Sequence, residues 1–142
     1  MNIKIVELRE GFTPVYKHQT DACADCFANI KEPLYIENGF TEKIPLGFAV
    51  EIPVEFEGVI KGRSGLTSKG VLCGLGTIDA GYTGEVNAII TNFSGVAFIV
   101  NPGDRICQFK VQKAEKIYFE KVEHLADSER NTAGFGSTGV SK

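Results

Sequence analysis

The chain has 142 residues, 43% of them hydrophobic, and a formal net charge of -3. That length makes one domain with room for a real core, and no apolar run reaches the roughly 18 residues of a membrane-crossing helix. The negative charge gives polyanions no bulk attraction, so neither nucleic acid nor a membrane surface is an expected partner. An anionic ligand needs a local cationic cluster or a metal.

The N-terminal stretch MNIKIVELRE alternates and lacks the apolar block of a signal peptide, so the expected location is cytoplasmic. Alternating or β-branched runs predict strands over 3–8, 24–30, 43–52, 56–61, 85–92, 96–100, 105–113 and 115–122. The segments GFTP, ENGF, IPVEFEG, NFSG and NPGD punctuate them as turns. Residues 64–69 fit one or two helical turns. Helical periodicity is otherwise nearly absent, and there are no internal repeats. Many short strands at this spacing predict an all-β fold, an antiparallel barrel or jelly roll. From about residue 126 the composition turns small and polar. The expected organisation is a β-domain over 1–125 and a flexible C-terminal arm over 126–142.

Four cysteines, Cys23, Cys26, Cys73 and Cys107, stand in a chain with no export signal, which argues against disulfides. The Cys23–Cys26 spacing invites a zinc reading, but structural zinc usually takes two such pairs. Small apolar packing is the better reading.

Five segments carry candidate chemistry. Asp21 and Asp25 are four apart, on one face if the segment is a strand; they could hold a hydrated Mg²⁺ or cap a turn. Gly62-Arg63-Ser64-Gly65-Leu66, at a strand-to-helix junction, could offer side-chain and backbone donors to a phosphate. GTIDAGYTGE, residues 76–85, reads as a hairpin. There Asp79 can face a cleft and Tyr82 can stack on a flat ligand, or the segment is an exposed turn with a packing tyrosine. In GDRICQF, residues 103–109, Asp104 and Arg105 can form a turn and an ion pair. Gln108 alternates with a likely core pair, as plain surface or as a site donor. The tail RNTAGFGSTG, residues 130–139, sets Arg130, Phe135, Ser137 and Thr138 in a glycine-rich frame suited to ordering on a ligand.

These five segments, in this order, resemble the five motifs of the trimeric dUTP pyrophosphatases (dUTPases), a match running from Asp21 to Gly139. The resemblance implies a jelly-roll-like β-barrel and a homotrimer whose three active sites are each built from all three subunits. It implies the Mg²⁺-dependent hydrolysis of dUTP to dUMP and pyrophosphate, which keeps uracil out of DNA and supplies dUMP for thymidylate synthesis. Carried over by motif, Asp25 lies near the metal-bound triphosphate and touches the ion through water. Arg63 and Ser64 bind phosphate, with Gly65 beside them. Asp79 positions and activates the attacking water, and Tyr82 packs under the deoxyribose against a 2′-hydroxyl. Gln108 contacts phosphate. Phe135 stacks on uracil, while Arg130, Ser137 and Thr138, with Gly136 between them, hold the γ-phosphate, so the tail is a lid over a neighbouring subunit's site.

Some positions depart from the family pattern. Cys23 stands for a common Gly, Cys26 for Leu, Gly62 for Pro and Thr83 for Arg, and Asn131 and Ala133 replace two tail glycines. Residues 69–75 are short and offer no identifiable reader of the uracil edge. Two rival readings share the scaffold. One is a dCTP deaminase relative, against which TIDAGY argues. The other is a non-catalytic binding protein with a regulatory partner, a role credited to phage members.

Overall fold

The computed structural model describes residues 1–129 together with Asn131 and Thr132. The described chain is nearly all β: β1 (Lys4–Glu7), β2 (Ala24–Phe27), β3 (Leu34–Ile36), β4 (Thr41–Pro45), β5 (Phe48–Glu51), β6 (Phe56–Gly62), β7 (Val71–Cys73), β8 (Gly76–Ile78), β9 (Asn87–Asn92), β10 (Phe98–Val100) and β11 (Arg105–Lys113). One helical turn, α1 (Ser64–Thr67), follows β6. All pairings are antiparallel. They form a four-stranded sheet in the order β2-β11-β6-β8, a three-stranded sheet β4-β9-β7, and the pairs β1-β5 and β3-β10. These sheets enclose one core in the jelly-roll manner, although the ladders do not join into a continuous ring.

The core follows from alternation. Along β9 the buried positions are Ala88, Ile90 and Asn92, every second residue of a strand with one wet face. Ile36, Ile44, Leu46, Phe48, Ile60, Ile90 and Ile106 are fully buried, and Phe48 meets Phe109 edge to face with ring centroids 5.8 Å apart. The buried Asn92 amide is satisfied by the carbonyls of Ile36 and Val96, each at 2.7 Å.

Three expectations change. The single strand over 43–52 is two, because Gly47 takes φ +75 and hands the chain from the β4 sheet to β5. A Cβ there would also lie 2.8 Å from the Phe12 ring, so glycine is required twice over. The strand over 115–122 does not form. After Ala114, whose N–H reaches the Glu55 carbonyl at 2.7 Å, Ile117, Tyr118 and Phe119 stand 68%, 94% and 90% exposed. A strand needs a partner edge and a surface to cover, and the described chain gives this segment neither. β3, β7 and β8, at three residues each, are too short to show alternation in the sequence.

Candidate active site

β2 and β11 build the first half of the site. Gln108 lies directly across the ladder from Asp25. Arg105 is three residues from Gln108, which on a regular strand would put it on the opposite face. The register slips between Arg105 and Cys107, so Ile106 is an inserted residue. Ile106 and Cys107 are accordingly both buried. The bulge turns Arg105 and Gln108 to the same side, and both meet the Asp25 carboxylate. Gln108 Nε2 donates to Oδ1 at 3.0 Å, and Arg105 Nη1 to Oδ2 at 3.1 Å.

Arg63 completes the group from the end of β6. It sits extended at the junction with α1 (φ -89, ψ 129). Its Nε lies 3.3 Å from Asp25 Oδ1, and its Nη1 donates to the Arg105 carbonyl at 2.7 Å. Asp25 is itself buried, with its backbone paired to Val15 on one side and to β11 on the other. A fixed carboxylate therefore holds two guanidinium groups and an amide at the wall of a cleft of about 320 Å³, which Lys17 and Asp21 also line. Lys17, Arg63 and Arg105 outnumber Asp21 and Asp25, so this cleft is locally cationic on an anionic protein.

Other expectations resolve here. Asp104 makes no ion pair with Arg105. Its Oδ2 accepts from Asn101 N at 2.8 Å and closes the Asn101–Asp104 turn, while Arg105 goes to Asp25. Asp21 caps a turn, accepting from His18 N at 2.8 Å, and precedes β2 instead of sharing a strand face with Asp25. Ser64 and Gly65 are exposed beside Arg63, and a Cβ at Gly65 would meet nothing within 4 Å.

The second half is the segment after β8. Asp79-Ala80-Gly81-Tyr82 is a hydrogen-bonded turn, with Tyr82 N donating to the Asp79 carbonyl at 3.0 Å and Gly81 at φ +113. It is not a hairpin, because β8 pairs with β6 whereas β9 pairs with β4 and β7, so the turn joins two sheets. Asp79, Tyr82, Thr77, Ile78, Val86 and Asn87 line a cleft of about 230 Å³. Thus Asp25, Arg63 and Gln108 come together, and Asp79 and Tyr82 come together. The two clefts share no lining residue. Arg130, Phe135, Gly136, Ser137 and Thr138 lie outside the described residues. The neighbouring Asn131 takes φ +43, the left-handed conformation that asparagine tolerates.

The thiols behave as packing groups. All four are free, and Cys26 and Cys107 are fully buried facing each other across the ladder. A hydrogen bond to Cys107, then burial, pushes the Cys73 thiol up; a hydrogen bond to Cys26, then burial, does the same to Cys107. Both stay protonated near neutrality, as small hydrophobes do. Among the described residues no group of three or more His, Cys, Asp or Glu could hold a metal, so the zinc reading of Cys23 and Cys26 has no ligand set there.

The family model for dUTPase matches residues 11–139. The chain belongs to the dUTPase family. Among curated dUTPases, the deoxyuridine 5'-triphosphate nucleotidohydrolase of Cytophaga hutchinsonii is 39% identical over 141 residues, 97% of this chain and 92% of that protein. The one from Chlamydia trachomatis is 45% identical over 130 residues, 89% and 90% of the two chains. Among solved structures, the dUTPase of Staphylococcus bacteriophage 80alpha with dUpNHpp superposes at TM-score 0.87, at 27% identity over 98% of this chain and 99% of that one. A mutant dUTPase of phage phi11 of S. aureus, described with a structural Mg(II) ion, superposes at TM-score 0.77, at 25% identity over 87% of this chain and 98% of that one.

Sequence reasoning missed three residues of these two clefts and their supports. Arg105 was placed with Asp104 because a bulge leaves no mark in the sequence. Lys17, in the same cleft, stands in no recognisable pattern. Glu85 ties the Tyr82 turn to the core, its Oε1 accepting from Asn29 Nδ2 at 2.9 Å and Gly47 N at 2.8 Å; those partners are far away in sequence.

Proposed function

We propose that the chain hydrolyses dUTP to dUMP and pyrophosphate. Water attacks the α-phosphorus in line and pyrophosphate leaves. The observation that carries the reading is the convergence of Arg63, Arg105 and Gln108 on one buried carboxylate, Asp25, in a member of the dUTPase family. Phosphoryl transfer is mainly a matter of position and charge. Arg63 uses Nε and one Nη1 proton to fix itself, leaving the rest of its fork for phosphate oxygens. Gln108 keeps one N–H and its carbonyl. Asp79 accepts the proton of the attacking water, and Tyr82 packs under the deoxyribose where a 2′-hydroxyl would sit. The backbone of residues 76–85 pairs with uracil O4 and N3–H and leaves no room for a 5-methyl group.

The residues suit Mg²⁺. This ion keeps most of its waters and binds through one or two carboxylates plus substrate phosphates. Asp25 Oδ1 and Oδ2 each accept one hydrogen bond, and the Arg63 Nε ion pair at 3.3 Å crowds Oδ1 further. A carboxylate has about four lone-pair sites, so acceptor capacity remains for a metal-bound water. When bound, Mg²⁺ supplies positive charge to the triphosphate.

We further infer a homotrimer with shared sites. Two separate half-site clefts and the exposed Ile117-Tyr118-Phe119 support it: a neighbouring copy can join the former and cover the latter. The barrel domain is 1–125, and the arm 126–142 closes over a neighbour's site.

Two results are expected. In a pyrophosphate-release assay with Mg²⁺, dUTP will be turned over, while dTTP, dCTP and UTP will not, and EDTA will abolish release. Rates for dTTP near those for dUTP would refute the methyl-excluding wall. No release from any of the four by a trimeric protein would mean that the motifs serve binding of a regulatory partner. Asp25→Asn will weaken the fold and the site together. Breaking a buried pair costs about 3–5 kcal/mol, and screening of the part-exposed arginines lowers this to about 1–2 kcal/mol. Thermal melts read the stability loss, and KM for dUTP will rise about tenfold, the effect of one charge-assisted contact. Unchanged stability with a raised Mg²⁺ requirement would make Asp25 a metal contact alone.

A further inference from the structure

We propose that Gly84 is a specificity-determining residue: its bare α-carbon is the seat on which the Tyr82 ring lies, and it sets where that ring stands beneath the sugar. The inference rests on the reading of Tyr82 given above and adds a residue to it.

The geometry is local and close. A Cβ built on Gly84 would lie 2.6 Å from Tyr82 Oη, 2.7 Å from Cζ and 3.1 Å from Cε2. A Cβ essentially never comes within 3.0 Å of another heavy atom, so the ring must move if residue 84 has a side chain. Nor is the ring free to swing aside. Its hydroxyl donates to the Glu85 carbonyl at 2.9 Å, and its backbone N–H to the Asp79 carbonyl. The Glu85 carbonyl also accepts from Asn87 Nδ2 at 2.7 Å, and the Glu85 carboxylate is held by Asn29 and Gly47. The tyrosine is thus stretched between Asp79 and a residue anchored to the core, with Gly84 beneath the ring and 46% of the residue open to solvent.

Glycine at 84 has no other evident reason. Gly81, three residues earlier, sits at φ +113, where any side chain strains the backbone whatever the space. Gly84 is not among the positive-φ residues, so the backbone there accepts alanine. The three atoms nearest to such a side chain all belong to Tyr82. The two glycines around the tyrosine do different work: Gly81 makes the turn, and Gly84 makes room for the ring. A methyl at 84 displaces the ring by the shortfall to an ordinary contact, roughly 1 Å, and a misplacement of that size can cost about 10²-fold in rate.

The test is a double-mutant cycle read on dUTP and UTP. Gly84→Ala is expected to lower kcat/KM for dUTP at least tenfold and leave UTP, which gains nothing from the seated ring, within about twofold, so that discrimination collapses. In a Tyr82→Ala background the same Gly84→Ala change is expected to have no further effect, because nothing remains to collide with. A Gly84→Ala protein that keeps the dUTP to UTP ratio within twofold overturns the proposal. So does an equal loss in both backgrounds, which would give Gly84 a role apart from the ring. If Gly84→Ala fails to fold, Tyr82→Ala/Gly84→Ala decides: recovery of the melting temperature of Tyr82→Ala upholds the seat, and failure to recover overturns it. Tyr82→Ala alone checks the underlying reading. Unchanged discrimination in that single variant sinks the role of the tyrosine, separately from that of the glycine.

Discussion

Asp79→Asn will leave a folded protein that binds dUTP and scarcely turns it over. The side chain is exposed and takes no hydrogen bond among the described residues, and its backbone carbonyl, which closes the turn with Tyr82, is untouched by the change. Surface substitutions of this kind usually stay within about 0.5 kcal/mol, so the melting temperature should hardly move. Activity is another matter. Asparagine keeps the shape and can still orient a water, but it cannot take the proton, and a positioned base contributes about 10² to 10⁴-fold. Pyrophosphate release should fall by that factor, while dUTP affinity, measured directly by calorimetry, stays within a few fold. The split is the informative part. A group that only positioned the substrate would lose binding and turnover together. Turnover within tenfold of the parent would show that Asp79 is not the group that activates the water.

What the sequence made legible depends on range. The all-β class followed from alternation and turn residues, which are local. β11 was read to the residue, because the NPGD turn marks its start and CQFKV alternates from Cys107 onward. The break at Gly47 was not read, since Leu46, Phe48, Ala49 and Val50 are all buried and the run looks like one strand. Its cause is a distant one: Phe12 lies against Gly47, and Glu85 holds its N–H. The same division runs through the site. Asp25, Arg63 and Gln108 were found by motif, and the fold gathers them. Arg105 was given the wrong partner, because its neighbour in sequence is an aspartate and its neighbour in space, Asp25, is 80 residues away. A one-residue bulge reverses every facing argument after it, and composition does not reveal where the bulge falls. The strand expected over 115–122 fails for a related reason. Its residues have strand character, but pairing needs a partner edge, and the described part of this chain does not provide one.

Deleting residues 126–142 will separate fold from function most sharply. Among the described residues the core draws on nothing after Val111, and β11 ends at Lys113. Residues 114–129 are almost wholly exposed, and their contacts with the β-domain among the described residues lie at the very start, Ala114 N–H to the Glu55 carbonyl and Glu115 to Lys113 of β11. The deletion therefore removes no core side chain found among the described residues, and the shortened chain should melt within a few degrees of the parent and keep its oligomeric state. Its activity should fall steeply. If Phe135 stacks on the base, that contact is worth about 1–3 kcal/mol. If Arg130 holds the γ-phosphate, a charge-assisted bond adds about 1.5–3 kcal/mol. Together they predict a loss in kcat/KM of about 10² to 10⁴-fold for dUTP. Restoring the arm on a chain that carries Asp79→Asn supplies the complement. Mixed with the deletion protein, it should recover activity if the arm of one subunit closes over the site of another, because each partner then lends what its neighbour lacks. Recovery in the mixture requires subunit exchange and a shared site together; an arm that serves its own subunit would leave the mixture as inactive as its parts. Aggregation of the shortened chain would instead make the tail part of the folded body, and the lid reading would fall with it.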